Sequence, residues 1–175
     1  MSDIRERAGC SKPTLYSYFA SKEDLFSEVV FEATEREFQA TLQALDPSTG
    51  DIRRALENFG QRLIALLYSP QVQAVRRLVM SEAGRAGLGR KCYQLGPARS
   101  EAAIAAFLQH AMDQGKLRQA DPHVAGLHLK GLLEAEWLEP FLFQSLTEPN
   151  ADQVRTTVAR AVAVFMAAYG PGETG

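Results

Sequence analysis

The stretch Ile4-Arg5-Glu6-Arg7-Ala8-Gly9-Cys10-Ser11-Lys12-Pro13-Thr14-Leu15-Tyr16-Ser17-Tyr18-Phe19 reads as two short helices around a tight turn. Gly9 can take the left-handed backbone conformation that ends the first helix, and Ser11 can cap the second. Pro13 fits the first turn of that second helix, where its missing amide is not required. Leu15 and Phe19, four apart, face inward toward Ile4 and Ala8. Lys12, Thr14, Tyr16 and Ser17 are left facing out, a hydrogen-bonding and phosphate-seeking set sized for the major groove of DNA.

Ser21 follows as a cap with Asp24 in capping-box position, so a long helix is expected over Ser21 to Leu45. Its apolar stripe reads as Leu25, Phe26, Val29, Val30 and Ala33. At 1.5 Å per residue it reaches roughly 35 Å, enough to join a head to the middle of a body. Helical periodicity dominates the rest, and alternating β-branched runs are absent, so the fold class is all-α. Further helices are expected over Asp51 to Tyr68, Val72 to Ala83, Lys91 to Gln114 with an interruption at Gly96-Pro97, Pro122 to Phe143, and Asp152 to Tyr169. The last two are apolar around much of their circumference. One carries Leu127, Leu132, Leu133, Trp137 and Leu138; the other carries Val154, Val158, Ala161, Val162, Phe165 and Tyr169. Both are expected to meet a partner as well as the chain's own core, with Asp at Val158 or Phe165 giving monomers.

The 175 residues suffice for a stable core without disulfides or metals. No apolar run approaches the roughly 18 residues of a membrane span, and the first residues lack a secretion signal, so a cytoplasmic protein is expected. Cys10 and Cys92 are far apart and read as packing residues or free thiols. Net charge is -2, but its distribution is uneven: residues 1–22 carry +2 and the remainder -4. Positive charge therefore gathers where a small DNA-contacting head would place it.

Several features resemble catalytic or ligand motifs without completing one. Gly84 to Lys91 lacks the GK[ST] ending and preceding strand of a phosphate loop, and reads as a basic interhelical loop. His110, His123 and His128 lack metal-ligand spacing and read as capping or packing residues. Glu134, Glu136 and Glu139 surround Trp137, but Glu134 and Glu136 sit on different helical faces with no nucleophile beside them; they read as a solvated edge. No catalytic or metal-ligating set emerges and no cofactor is implied. Phe59, Leu63, Tyr68, Met80, Tyr93, Phe107 and Trp137 can line a pocket for a small molecule or simply fill the core.

The run from Ala8 to Phe26 closely resembles the TetR-family signature, in which a glycine turn precedes a Ser-Lys-x-Thr-Leu-Tyr-x-Tyr-Phe recognition helix and a Ser-Lys-Glu-x-Leu helix start. More weakly, Arg77 to Ala83 and Gly96-Pro97-Ala98-Arg99 look like the AefR-like branch. The resemblance implies a transcriptional regulator, not an enzyme. A helix-turn-helix DNA-binding head with its connecting helix would span 1–45, and a ligand-binding and dimerisation body 46–175. By position, Lys12, Pro13, Thr14 and Ser17 would approach base edges, while Ser11, Tyr16, Tyr18 and Lys22 would hold phosphates. Tyr18 has an equal alternative as a half-buried aromatic beside Leu15 and Phe19. The implied partners are operator double-stranded DNA, a small-molecule effector and a second copy of the chain meeting through the two C-terminal helices. Family members carry a further helix before Asp3 to Ala8. A chain starting at Met1 is therefore expected to be N-terminally shortened, with a loose head of reduced DNA affinity.

Overall fold

The computed structural model describes residues 18–19, 21–48, 50–82, 87–145 and 149–171. Ser11, Lys12, Pro13, Thr14, Tyr16 and Ser17, with the turn around Gly9, lie outside the described residues. The eight helices among the described residues are α1 (Lys22–Gln43), α2 (Ile52–Leu67), α3 (Pro70–Glu82), α4 (Leu88–Leu95), α5 (Pro97–Asp113), α6 (Pro122–Glu134), α7 (Leu138–Leu142) and α8 (Ala151–Tyr169). No strand occurs among the described residues.

Local chemistry sets most of the boundaries. The Ser21 side chain accepts from the Asp24 backbone N–H at 3.0 Å to open α1, and Asp51 does the same for Arg54 at the start of α2. Asn150 and Gln153 close a reciprocal capping box at α8. The expected interruption at Gly96-Pro97 separates α4 from α5, because Pro97 has no N–H to continue a helix and disfavours helical geometry in the residue before it. The expected single helix over Pro122 to Phe143 is two helices with a break at 135–137. Pro140 cannot donate to the carbonyl four residues back, and its ring crowds that carbonyl. Leu88 to Arg90, expected to be loop, instead open α4, three residues before the expected helix start at Lys91.

α1 presents a different face to the body than apolar periodicity predicts. Phe26 and Val29 are 41% and 54% exposed, and Ala33 is exposed too. The buried positions are Leu25, Ser27, Val30 and Thr41. Ser27 and Thr41 can be buried because each hydroxyl donates to the carbonyl four residues back, to Glu23 and Glu37. Counting apolar residues alone rotated the stripe.

The main core joins α2, α5, α6 and α8 through Leu56, Phe59, Ile64, Leu108, Leu129, Val158, Val162 and Phe165, all fully buried. Gly60 lets α2 approach this layer closely: a Cβ there would lie 2.7 Å from Leu133 Cδ2 and 2.8 Å from Val158 Cγ1. A smaller cluster, Val30, Val75, Leu88 and Cys92, joins α1, α3 and α4. The two clusters do not merge completely, and the space between them is the cavity described next.

Candidate ligand-binding cavity

A cavity of about 440 Å³ opens between the two clusters, walled by residues of α1 to α7. Its surface is mostly apolar and includes four aromatic rings, Phe31, Phe38, Tyr93 and Phe141. Of the residues that the sequence offers for a pocket, Leu63, Met80 and Tyr93 are on its wall. Phe59, Tyr68, Phe107 and Trp137 are not; they are 0%, 1%, 4% and 6% exposed and fill the core. The wall residues missed from sequence are spread over all seven helices; on α1 they include the half-buried Phe31, Thr34, Glu35 and Phe38, which follow one another at helical spacing.

At one end sits an ionic group that corrects the expectation of a solvated edge. Glu134 is buried, and its Oε1 accepts from the Tyr68 hydroxyl at 2.9 Å and from Arg76 Nη2 at 2.8 Å. The Arg76 guanidinium lies over the Phe141 ring at 4.6 Å and the Tyr68 ring at 5.1 Å, while its Nη1 is buried without a hydrogen-bond partner. Burial, reinforced by the Glu134 carboxylate, pushes the Tyr68 phenol up, so it remains a donor. Glu136, by contrast, is at the surface, paired with Arg160.

Elsewhere along the wall the Tyr93 hydroxyl donates to Glu101 Oε2 at 2.6 Å, and Lys130 Nζ, one turn before Glu134 on α6, meets Glu101 Oε1 at 3.2 Å. Two clasps tie α1 to the far wall. Lys91 of α4 contacts both Asp24 and Glu28 at 2.6 Å. Arg99 of α5 grips Glu35 with two nitrogens at 2.9 and 2.6 Å and lies 4.6 Å over the Phe38 ring.

Hydrogen bonds from Arg99 and then Gln39 bring the Glu35 carboxyl down from 4.5 to about 2. A depressed carboxylate pKa contributes stability that is present above the unfolded value and lost as pH falls toward the folded one. The stability difference between the wild type and Arg99→Gln is therefore expected to hold at pH 6 and to shrink between about pH 4.5 and 2. Both side chains are more than a third exposed, so the difference should stay below about 1 kcal/mol. Urea unfolding at pH 6 and pH 3 checks it; a gap that widens at pH 3 would contradict the assignment.

Two exposed surfaces carry residues singled out from the sequence or large apolar side chains. At the start of α1, Lys22 is exposed and Tyr18 just before it is 78% exposed. Elsewhere, α6 and α8 present Val124, Leu127 and Val164 at 42%, 42% and 54% exposure, among exposed Ala159, Ala163, Ala167 and Ala168. His128 lies on this face with Nδ1 2.6 Å from the Tyr169 hydroxyl. Val158 and Phe165 do not reach it, being fully buried in the chain's own core. Asp at either position is thus expected to unfold the protomer rather than separate two copies. Among the described residues there is no cluster of potential metal ligands and no helix long and apolar enough to cross a membrane.

Comparison with known proteins fits this architecture. Residues 54–171 match the family model of the AefR-like transcriptional repressor C-terminal domain, and residues 1–29 that of bacterial regulatory proteins of the tetR family. The fold is similar to a TetR-family transcriptional regulator from Mesorhizobium loti MAFF303099, with TM-score 0.82 and 29% identity over 95% of this chain and 84% of that one. It is also similar to the flavonoid-responsive regulator FrrA, with TM-score 0.73 and 26% identity over 98% of this chain and 87% of that one. A TetR regulator from Agrobacterium tumefaciens shares the fold at TM-score 0.70 and 20% identity, over 98% and 84% of the two chains. The comparison with curated protein sequences gave no match.

Proposed function

Because the chain belongs to the TetR family of bacterial DNA-binding transcriptional regulators, with an AefR-like C-terminal domain, we propose that it is a homodimeric repressor that leaves its operator when a small molecule fills the cavity. One observation carries this reading. The cavity wall includes Val30, Phe31, Thr34, Glu35 and Phe38 of α1, and α1 begins directly after the recognition-helix motif. A ligand touching α1 therefore acts on the lever that aims the head.

The proposed division places the DNA-binding head and its connecting helix in residues 1–45 and the body in 46–175. Lys12, Pro13, Thr14 and Ser17 read base edges; Ser11, Tyr16, Tyr18 and Lys22 hold phosphates. The exposure of Tyr18 and Lys22 supports the latter role. Two copies meet through the outer face of α6 and α8 and set their recognition helices in successive major grooves, about 34–36 Å apart. Ligand binding favours a body shape in which α1 holds the heads at another spacing, and release follows from the difference in affinity between the two shapes. Work on chromosomal DNA places the protein in the cytoplasm. The flavonoid-responsive relative supports an effector with aromatic character.

The decisive experiment is retardation of a labelled fragment of the protein's own upstream DNA, with and without candidate effectors. A purified dimer that retards no such fragment would sink the reading. Within that assay, Lys22→Ala is expected to weaken binding to all sequences alike and to lower the salt slope by about one unit, because a phosphate contact releases counterions without reading bases. Thr14→Ala is expected instead to change the ranking of operator variants. Equal losses of specific and non-specific binding in both would refute the assigned roles.

A further inference from the structure

The cavity has a definite electrical character. Its wall holds two cations, Arg76 and Lys130, and two carboxylates, Glu35 and Glu134. Each is already neutralised by a protein group: Arg76 by Glu134, Lys130 by Glu101, and Glu35 by Arg99. No ionised group is left over to compensate a charge brought in by a ligand, and an uncompensated charge in an apolar enclosure is costly.

The polar wall groups are also engaged within the protein, apart from the Arg76 Nη1 already described, which is itself buried, and one hydroxyl. The Thr34 hydroxyl donates to the Val30 carbonyl and the Tyr93 hydroxyl to Glu101. Ser100 of α5 is only 6% exposed and lies on the wall, and among the described residues its hydroxyl has no hydrogen-bond partner. A buried hydroxyl left in this state favours a ligand that satisfies it. Around it, Phe31, Phe38, Tyr93 and Phe141 offer ring faces and edges to a planar molecule.

We propose that the cavity selects an uncharged, planar aromatic ligand bearing a hydroxyl or carbonyl oxygen that pairs with the Ser100 hydroxyl, and that it discriminates against carboxylate and quaternary ammonium compounds of the same shape. This rests on the reading of the cavity as the effector site and adds the ligand's charge state and its polar anchor.

The test uses four probes on one oxygen-free skeleton: unsubstituted 2-phenylnaphthalene and its hydroxy, carboxy and trimethylammonium derivatives, titrated calorimetrically into the purified full chain at pH 6.5. The hydroxy derivative is expected to bind at least tenfold more tightly than either charged derivative. Ser100→Ala should weaken the hydroxy derivative by about three- to tenfold, the range of one neutral hydrogen bond, and leave the unsubstituted hydrocarbon unchanged. Equal loss for both would show that Ser100 contributes only packing and would overturn the anchor. Tighter binding of a charged derivative would overturn the charge selection, as would binding by none of the four. Leu66→Trp, which adds bulk at a half-buried wall position, separates the two levels of the reading. If it abolishes binding of whichever probe is preferred, the cavity remains the effector site even where the charge selection fails. Undiminished binding would remove the cavity reading itself.

Discussion

Val164→Asp is expected to convert the dimer into folded monomers and to weaken operator binding by roughly a hundredfold or more. Val164 is 54% exposed on the outer face of α8, so the isolated protomer loses little. In a two-fold dimer the same substitution enters the interface from both sides. Each buried carboxylate without a partner costs on the order of several kcal/mol, more than a standard interface can absorb twice. Separate heads bind half-sites one at a time and lose an avidity gain of about 10² to 10⁴. Leu127→Asp on α6 should behave alike, whereas Val158→Asp should fail to fold. Light scattering after size exclusion, with circular dichroism as the check on folding, distinguishes these outcomes. A folded, still dimeric Val164→Asp protein would place the interface elsewhere.

Glu134→Ala is expected to destabilise the protomer by about 3–5 kcal/mol, the range for removing one member of a buried ion pair. The Glu134 and Arg76 side chains are 11% and 24% exposed, so water can compensate only in part. The substitution removes the acceptor shared by the Tyr68 hydroxyl and Arg76 Nη2, in a guanidinium whose Nη1 already has no partner. For a domain of this length the melting temperature should fall on the order of 10 °C. Tyr68→Phe should cost only about 1 kcal/mol, since it removes one hydrogen bond and leaves the ion pair. Adding Arg76→Met to Glu134→Leu should recover much of the loss, because the orphaned charge goes with its partner. Thermal denaturation of the four proteins measures this. A Glu134→Ala variant no less stable than Tyr68→Phe would mean that the pair is not structural.

What the sequence discloses is governed by the range of the interactions involved. The Ser21 cap, the Gly96-Pro97 break and the start of α8 are settled within a few residues of backbone, and each was legible in the chain. The all-α class and the regulator family were legible for the same reason, one through helical periodicity and the other through a contiguous signature from Ala8 to Phe26. The cavity depends on contacts between distant segments. Tyr68 and Trp137 have the composition of pocket residues, yet they pack against each other in the core with ring centroids 5.8 Å apart. Phe31 and Phe38 form the wall instead. Glu134 is adjacent in sequence to exposed charges, and nothing local shows that Arg76, 58 positions earlier, is its partner. On α8 the large apolar residues that drew attention as partner contacts, Val158 and Phe165, are turned into the core, while the exposed face carries many alanines.

Trp137 is the chain's one tryptophan. It is 6% exposed, tilted 39° against Tyr68, and its indole nitrogen has no acceptor. Phe141, four residues on, belongs to the cavity wall, while Trp137 stands just behind it. The molecule thus carries a single indole, which can be excited apart from the tyrosines, in a buried position one layer removed from the cavity. Its emission should report filling of the cavity in real time, without a label and without interference from a second indole. Under the proposed arrangement dimerisation and DNA binding engage other surfaces, so the same signal is expected to time ligand arrival independently of release from DNA.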